Sequence, residues 1–481
     1  MQKSNSRRAM ATIGGCLLVI LIALVLPRQP RKSLVSNSSS NALSPAAAIE
    51  SASVERARAF RRSTPSADAP APTAEEIVAG KLIQFGKNRR ELVHALAKRF
   101  NVNVSDDVER FFDAVEGGRW EEIEAAFNAL RGEHASQPRS DDLWAIWRPI
   151  QETWGVAREA HNWPAQKLLD YGEDVLGSLR PGMIYVGGTD PGAFITTFLN
   201  ETSEGERHVV FTQNALASGP YLDHLNFLYG DRLATLTHDE SKRLFEEYQA
   251  DARKRLEHDQ QFPNEPKQVR PGENVSIVDG KVQVSGQVAV MAINEKLFQL
   301  FMEKNPDVSF AIEQSFPFNS TYAGATPMGP IMELRVQDEQ NALTRERAAQ
   351  SVDYWRTAAE KFNSGPEATD SLFPRLAYAK MAAEQASLLL EHGYAAEAER
   401  TLRLANEIGP GSPEPFFRLV NLLVTQGRLD DALVAAEAIH GNLPSPERLR
   451  TVYGENPTPA GQMRNAIEEL KRMQKAKSER R

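Results

Sequence analysis

The sequence predicts an α/β central domain with a mostly parallel sheet. Helical regions flank it, a repetitive α-solenoid follows it, and one N-terminal transmembrane helix precedes it. Three observations predict this class. Short apolar, β-prone runs alternate with amphipathic helical stretches between residues 179 and 340. Gly, Ala and Pro recur at a fixed spacing near the C-terminus. An apolar run, Ala9 to Leu26, follows Lys3, Arg7 and Arg8. The organisation is then a basic tail (1–8), an anchor (9–26), a disordered Ser/Ala/Pro linker (27–73), a helical region (74–178), the α/β domain (179–340) and a helical repeat region with a basic tail (341–481).

Composition excludes several function classes. The chain has 481 residues, 41% hydrophobic and 25% charged, which are ordinary globular values. A net charge of −8 speaks against nucleic acid as a partner. Cys16 is the only cysteine, so neither an intrachain disulfide framework nor a cysteine metal site can form. The nine histidines are scattered, with no H-E-x-x-H, and G-x-S-x-G does not occur. No metal or other cofactor is expected.

At helical rise the apolar run spans about 27 Å, just enough for a bilayer core. Leu24-Val25-Leu26-Pro27 is a poor cleavage site, which favours an uncleaved anchor. Ile13-Gly14-Gly15-Cys16 matches a lipobox poorly, because the apolar run lies mostly after Cys16. Arg28, Arg31 and Lys32 balance the basic residues ahead of the run, so flanking charge does not set the orientation. A near-N-terminal anchor acts as an export signal, and the expected placement of the bulk is periplasmic or otherwise extracytoplasmic. Residues 33–73 carry SNSSS, SPAAA and ADAPAP and cannot bury a core.

Helices begin near Ala74. Leu92, Val93, Leu96 and Phe100 share one face. Ser105-Asp106-Asp107 reads as a helix start, Gly117-Gly118 as a break, and Trp120 to Leu130 as the next helix. Asp141 to Asp170 holds Trp144, Trp147, Trp154 and Trp163. Tryptophans line sugar sites, but helix packing is the commoner use.

The stretch RPGMIYVGGTDPGAFITTFL, Arg180 to Leu199, anchors the α/β reading. Met183 to Val186 is a buried strand, Gly187-Gly188-Thr189 a turn, Asp190 a helix N-cap and Pro191 the first helical residue. The glycines spell G-x-x-x-x-G, but Ala193 and Phe194 stand where a phosphate loop needs Lys and Ser/Thr. No nucleotide follows from it. His208 to Thr212 is a second strand, ending in Gln213 and Asn214. Tyr221 to Tyr229 is a helix, and Thr237 with Glu240 a capping box. Ile277 to Val282 is a hairpin around Asp279-Gly280. Gln287 to Asn305 is an amphipathic helix. Val308 to Ile312 and Ile331 to Val336 are further strands, with Glu313 and Ser315 at the end of the former. In a parallel sheet Thr189, Asp190, Gln213, Asn214, Glu313 and Ser315 would gather at strand ends, where such sheets hold polar ligands. Capping and turn formation alone would also account for Asp190.

The run PGMIYVGGTDPGAF, with its following strand and QNALASGPYLDHL, resembles the soluble region of bacterial membrane proteins of the protein O-mannosyltransferase-like type. The resemblance covers Arg180 to Val336. In that family the catalytic acids lie in a multi-pass membrane portion, which has no counterpart here. It implies a binding or accessory role and not glycosyl transfer.

Near the C-terminus, Gly393 and Gly427, Ala398 and Ala432, and Pro410 and Pro444 are each 34 residues apart. With Leu402, Ala405 and Ala436, this pattern resembles the tetratricopeptide repeat (TPR) family over Phe373 to Leu443. Small residues let paired helices approach, Gly turns between them, and Pro ends the second. Ala382 and Gln385 depart from the pattern, where a bulky residue and Leu are usual. The resemblance implies protein binding. The first functional expectation is therefore a membrane-anchored, non-catalytic scaffold holding a protein partner. A carbohydrate- or polymer-binding accessory of an envelope glycosylation system is the second, and an enzyme of unknown reaction the third.

Overall fold

The computed structural model describes residues 44–62, 71–132, 141–313, 324–334, 342–364, 371–454 and 459–479. They form two compact units. The first covers 44–161 and 181–308, the second 162–180 and 309–479. Along the chain, α1 (Pro45–Arg62), α2 (Ala74–Phe100), α3 (Asp106–Gly117), α4 (Trp120–Gly132) and α5 (Asp141–Asn162) build the first unit. Helix α6 (Ala165–Leu176) opens the second. The first unit resumes with β1 (Ile184–Gly187), α7 (Asp190–Glu201), β2 (Val209–Thr212), α8 (Gly219–Tyr229), α9 (His238–Gln261), β3 (Asn274–Val278), β4 (Lys281–Ser285) and α10 (Gln287–Lys304). The second continues with β5 (Phe310–Ile312), β6 (Ala325–Met328), β7 (Ile331–Leu334), α11 (Arg345–Ser364), α12 (Leu372–Glu391) and α13 (Ala395–Ile408). It ends with α14 (Pro413–Thr425), α15 (Leu429–Gly441), α16 (Pro446–Tyr453) and α17 (Pro459–Glu479).

The expected mostly parallel central sheet is not what forms. The structure is 71% helical and its sheets are small and mixed. β1 and β2 do pair in parallel, Ile184 opposite Val209 and Gly187 opposite Thr212. Helix α7 supplies the crossover that parallel strands need. β3 and β4 form a separate antiparallel hairpin. In the second unit β7 pairs antiparallel with both β5 and β6. The reason is local. Only Gly329 and Pro330 separate β6 from β7, and two residues can join antiparallel strands but never parallel ones. Gly329 sits at φ 59°, a conformation glycine adopts without a steric penalty.

The expected N-terminal transmembrane helix falls on residues 9–26, which the structure does not describe. No helix among the described residues is long and apolar enough to cross a membrane. Within the Ser/Ala/Pro-rich stretch, 45–62 is the helix α1. Its Ala- and Arg-containing sequence favours a helix, and Arg56 anchors it on α2 through Asn88 Oδ1 at 2.6 Å.

Local sequence accounts for several helix ends. Thr73 and Glu76 close a capping box on α2, and Thr237 and Glu240 another on α9. Phe85, Leu92, Val93 and Leu96 turn the apolar stripe of α2 into the first unit's core, with Phe111, Phe112, Tyr185 and Phe198. In the second unit, α12 with α13 and α14 with α15 are helical hairpins. Gly393 and Gly427 make their turns at φ 82° and 75°. Ala398, Ala405, Ala432 and Ala436 are fully buried where the paired helices approach. Leu402 is buried beside them, while Pro410 and Pro444 lie half-exposed beyond the second helices.

Candidate functional site

The turn after β1 is built by close approach. A Cβ on Gly187 would stand 2.7 Å from the Gly192 carbonyl oxygen and 2.9 Å from Ala193 Cα. Gly187→Ala is therefore expected to cost about 1–3 kcal/mol through overpacking, read in thermal melts. The helix cap is Thr189, one residue earlier than the sequence indicated. Its hydroxyl accepts from the Gly192 N–H at 3.1 Å. Thr189→Ala should cost about 1 kcal/mol in the same assay. Asp190 is the first helical residue, and its carboxylate accepts from Arg158 Nη2 at 2.6 Å. Although burial works against it, Asp190 and Glu159 raise the Arg158 pKa further. The positive helix end thus faces the chain's own carboxylate, which is already paired. An incoming phosphate would meet Asp190 first.

At the end of β2, the Thr212 N–H donates to Tyr221 Oη at 2.6 Å, and Thr212 Oγ1 accepts from Arg148 Nη2 at 2.8 Å. Asn214 Nδ2 reaches the Gly188 carbonyl at 3.5 Å, tying the two strand ends together. Gln213 is wholly buried, and neither of its amide atoms has a hydrogen-bond partner among the described residues. Thr189, Asp190, Gln213 and Asn214 thus share the first unit. Glu313 belongs to the second, where it is buried and accepts from Tyr171 Oη at 3.3 Å. Ser315 lies outside the described residues.

Behind the β2 end is a cluster that the sequence did not announce. Arg148 Nε donates to Glu152 Oε1 at 2.7 Å. Arg89 Nη1 meets Glu152 Oε2 at 2.8 Å, and Arg89 Nε meets Glu201 Oε2 at 2.9 Å. His224 Nε2 stands 3.6 Å from Glu152 Oε2. The cluster draws on α2, α5, α7 and α8. Burial alone would raise the Glu152 pKa, but Arg148, Arg89 and His224 together hold it far below the usual carboxylate range. Burial lowers His224 and raises Glu201. Arg89 carried one sequence signal. It lies four residues after Phe85 and three before Leu92, inside an apolar stripe.

Trp147 and Trp163 are buried, while Trp144 and Trp154 are half-buried. Trp154 stacks on Phe127 at 4.6 Å, and the Arg158 guanidinium lies over its ring at 4.9 Å. Trp147 also stacks on Phe127, and Trp163 meets Tyr171 edge-on. Among the described residues, no group of three or more His, Cys, Asp or Glu side chains could hold a metal ion.

No family model, curated protein or solved structure matches the chain.

Proposed function

We propose that the chain is a non-catalytic scaffold whose C-terminal helical hairpins hold a protein partner. One observation carries this reading. The hairpins α12–α13 and α14–α15 repeat with identical glycine turns 34 residues apart, and α14 presents Phe417 and Asn421 to solvent. An exposed aromatic on a rigid helix is the kind of side chain that anchors protein interfaces. The strand-end polar groups do not compete well with it. Ion pairs, caps and backbone bonds engage most of them, and no nucleophile–base pair emerges there.

Crosslinking with mass spectrometry in native material tests the proposal. Crosslinks from residues 413–441 to another protein are expected, together with their loss in Phe417→Glu. Unchanged recovery of that partner with Phe417→Glu would sink the reading. The second reading, a carbohydrate- or polymer-binding accessory, needed an open stacking platform. Trp154 is already engaged by the Phe127 ring and the Arg158 guanidinium, which counts against it as such a platform.

A further inference from the structure

We propose that the charge cluster around Glu152 makes α8 a proton-sensitive latch in the first unit, closed while His224 is neutral and loosened when it takes a proton. The geometry carries the inference. His224 is 3% exposed, and Nε2 faces Glu152 while Nδ1 has no hydrogen-bond partner among the described residues. Neutral imidazole can sit there as a donor through Nε2. An imidazolium has donors at both nitrogens and would bury an Nδ1–H with nothing to accept it. Among the described residues the surroundings also lack spare negative charge. Arg89 and Arg148 offset Glu152 and Glu201, so a proton on His224 leaves an uncompensated buried cation. The cheapest relief is exposure of His224 to water, which means movement of α8.

Other groups facing α8 differ in the sign of their pH response. Tyr221, one turn before His224, is held neutral with its pKa raised to about 12, chiefly by burial. Tyr229, half-buried at the helix end, is raised further still by desolvation. From α1, Glu50 reaches Arg232 beyond the helix end at 3.7 Å. From α2, the Arg99 guanidinium lies over Phe227. On the outer side, Asp223 bonds His238 Nε2 at 2.9 Å, and this bond raises the His238 pKa. That pair is stabilising below the ordinary His pKa and is lost as pH rises, so acid tightens it. Its side chains are 59% and 41% exposed, which screens the effect. Glu201 has the same sign, because a raised carboxyl favours the closed form on acidification. Its side chain keeps 23% exposure against 4% for His224, so burial bears harder on His224. For His224 the sign is opposite. The closed form binds fewer protons than the open one, and closure weakens as pH falls below about 6.5.

Amide hydrogen exchange of the full chain between pH 7.5 and 5, corrected for intrinsic rates, reads the latch. Protection of residues 219–229 should fall several-fold relative to 287–304. It should fall more steeply in Glu201→Gln, approaching about tenfold per pH unit. His224→Gln should abolish the fall, and His238→Gln should leave it in place. Unchanged wild-type protection would overturn the proposal, as would an equal fall in His224→Gln. Should His224→Gln not fold, side-chain NMR of the wild type decides. Protonation of the His224 ring in step with lost α8 protection supports the latch. Either event without the other refutes it.

Discussion

Glu152→Ala is expected to destabilise the first unit by about 3–5 kcal/mol, the range for breaking a buried ion pair by removing one partner. Glu152 is the shared acceptor of Arg148, Arg89 and His224. Removing it leaves Arg89 with Glu201 and the Phe85 ring at 4.8 Å, and leaves Arg148 with Thr212 Oγ1 and the Tyr221 ring at 4.5 Å. Two guanidinium groups then repel one another in a space that water cannot readily fill. Urea unfolding followed by circular dichroism gives the number. A loss below about 1 kcal/mol would mean that solvent reaches the cluster and screens it as it does at a surface. The pH dependence of the wild type offers a second check. Because the Glu152 pKa is held below its ordinary value of 4.5, its stabilisation is complete above that pH. It is lost as pH falls through the lower folded value. In Glu152→Ala that acid loss should shrink.

What the sequence disclosed was the chemistry that acts within a few residues. The segment β1–α7–β2 is legible because Met183 to Val186, Pro191 and His208 to Thr212 carry local signals. The turn at Asp279-Gly280 is legible because few residues other than Gly, Asn and Asp tolerate positive φ. Strand direction was not legible, since it depends on which strand pairs with which. The sequence shows β7 as an apolar run. It does not show that β6, whose Pro327 weakens any strand assignment, folds back on it. Of the polar residues expected at strand ends, Thr189, Asp190, Gln213 and Asn214 lie in the first unit, Glu313 lies in the second, and Ser315 lies outside the described residues. Glu152 was hidden for another reason. Helix α5 is buried around most of its circumference, so no clean apolar stripe marks a carboxylate there as an intruder. Arg89 stands inside a clear stripe and was the one member that periodicity could have exposed.

Gln385→Leu is expected to cost the second unit about 3–5 kcal/mol, although it restores the residue that the repeat pattern prefers. Gln385 is wholly buried with all four of its hydrogen-bonding positions used. Its Oε1 accepts from Ser351 Oγ at 2.7 Å and from Trp355 Nε1 at 2.9 Å. Its Nε2 donates to the carbonyls of Gly329 at 2.8 Å and Ile331 at 2.9 Å. One side chain thus joins α11, α12 and the β6–β7 turn. Leucine would leave a buried indole N–H, a hydroxyl and two carbonyls unmatched, at about 1–3 kcal/mol for each group that water cannot reach. Denaturation read by tryptophan fluorescence measures the loss. A cost under about 1 kcal/mol would show that ordered water replaces the amide. The departure from the repeat pattern also has a meaning for partner binding. At Gln385 the first hairpin is sealed against the rest of its own unit, so α12 offers no open face there. The outer hairpin is left to carry a partner. Under the scaffold proposal, Phe417→Glu should then release the partner with little change in stability, while Gln385→Leu should lower stability and leave the folded fraction binding normally. A partner lost from folded Gln385→Leu protein would place the docking face on the sealed side and contradict this division of labour.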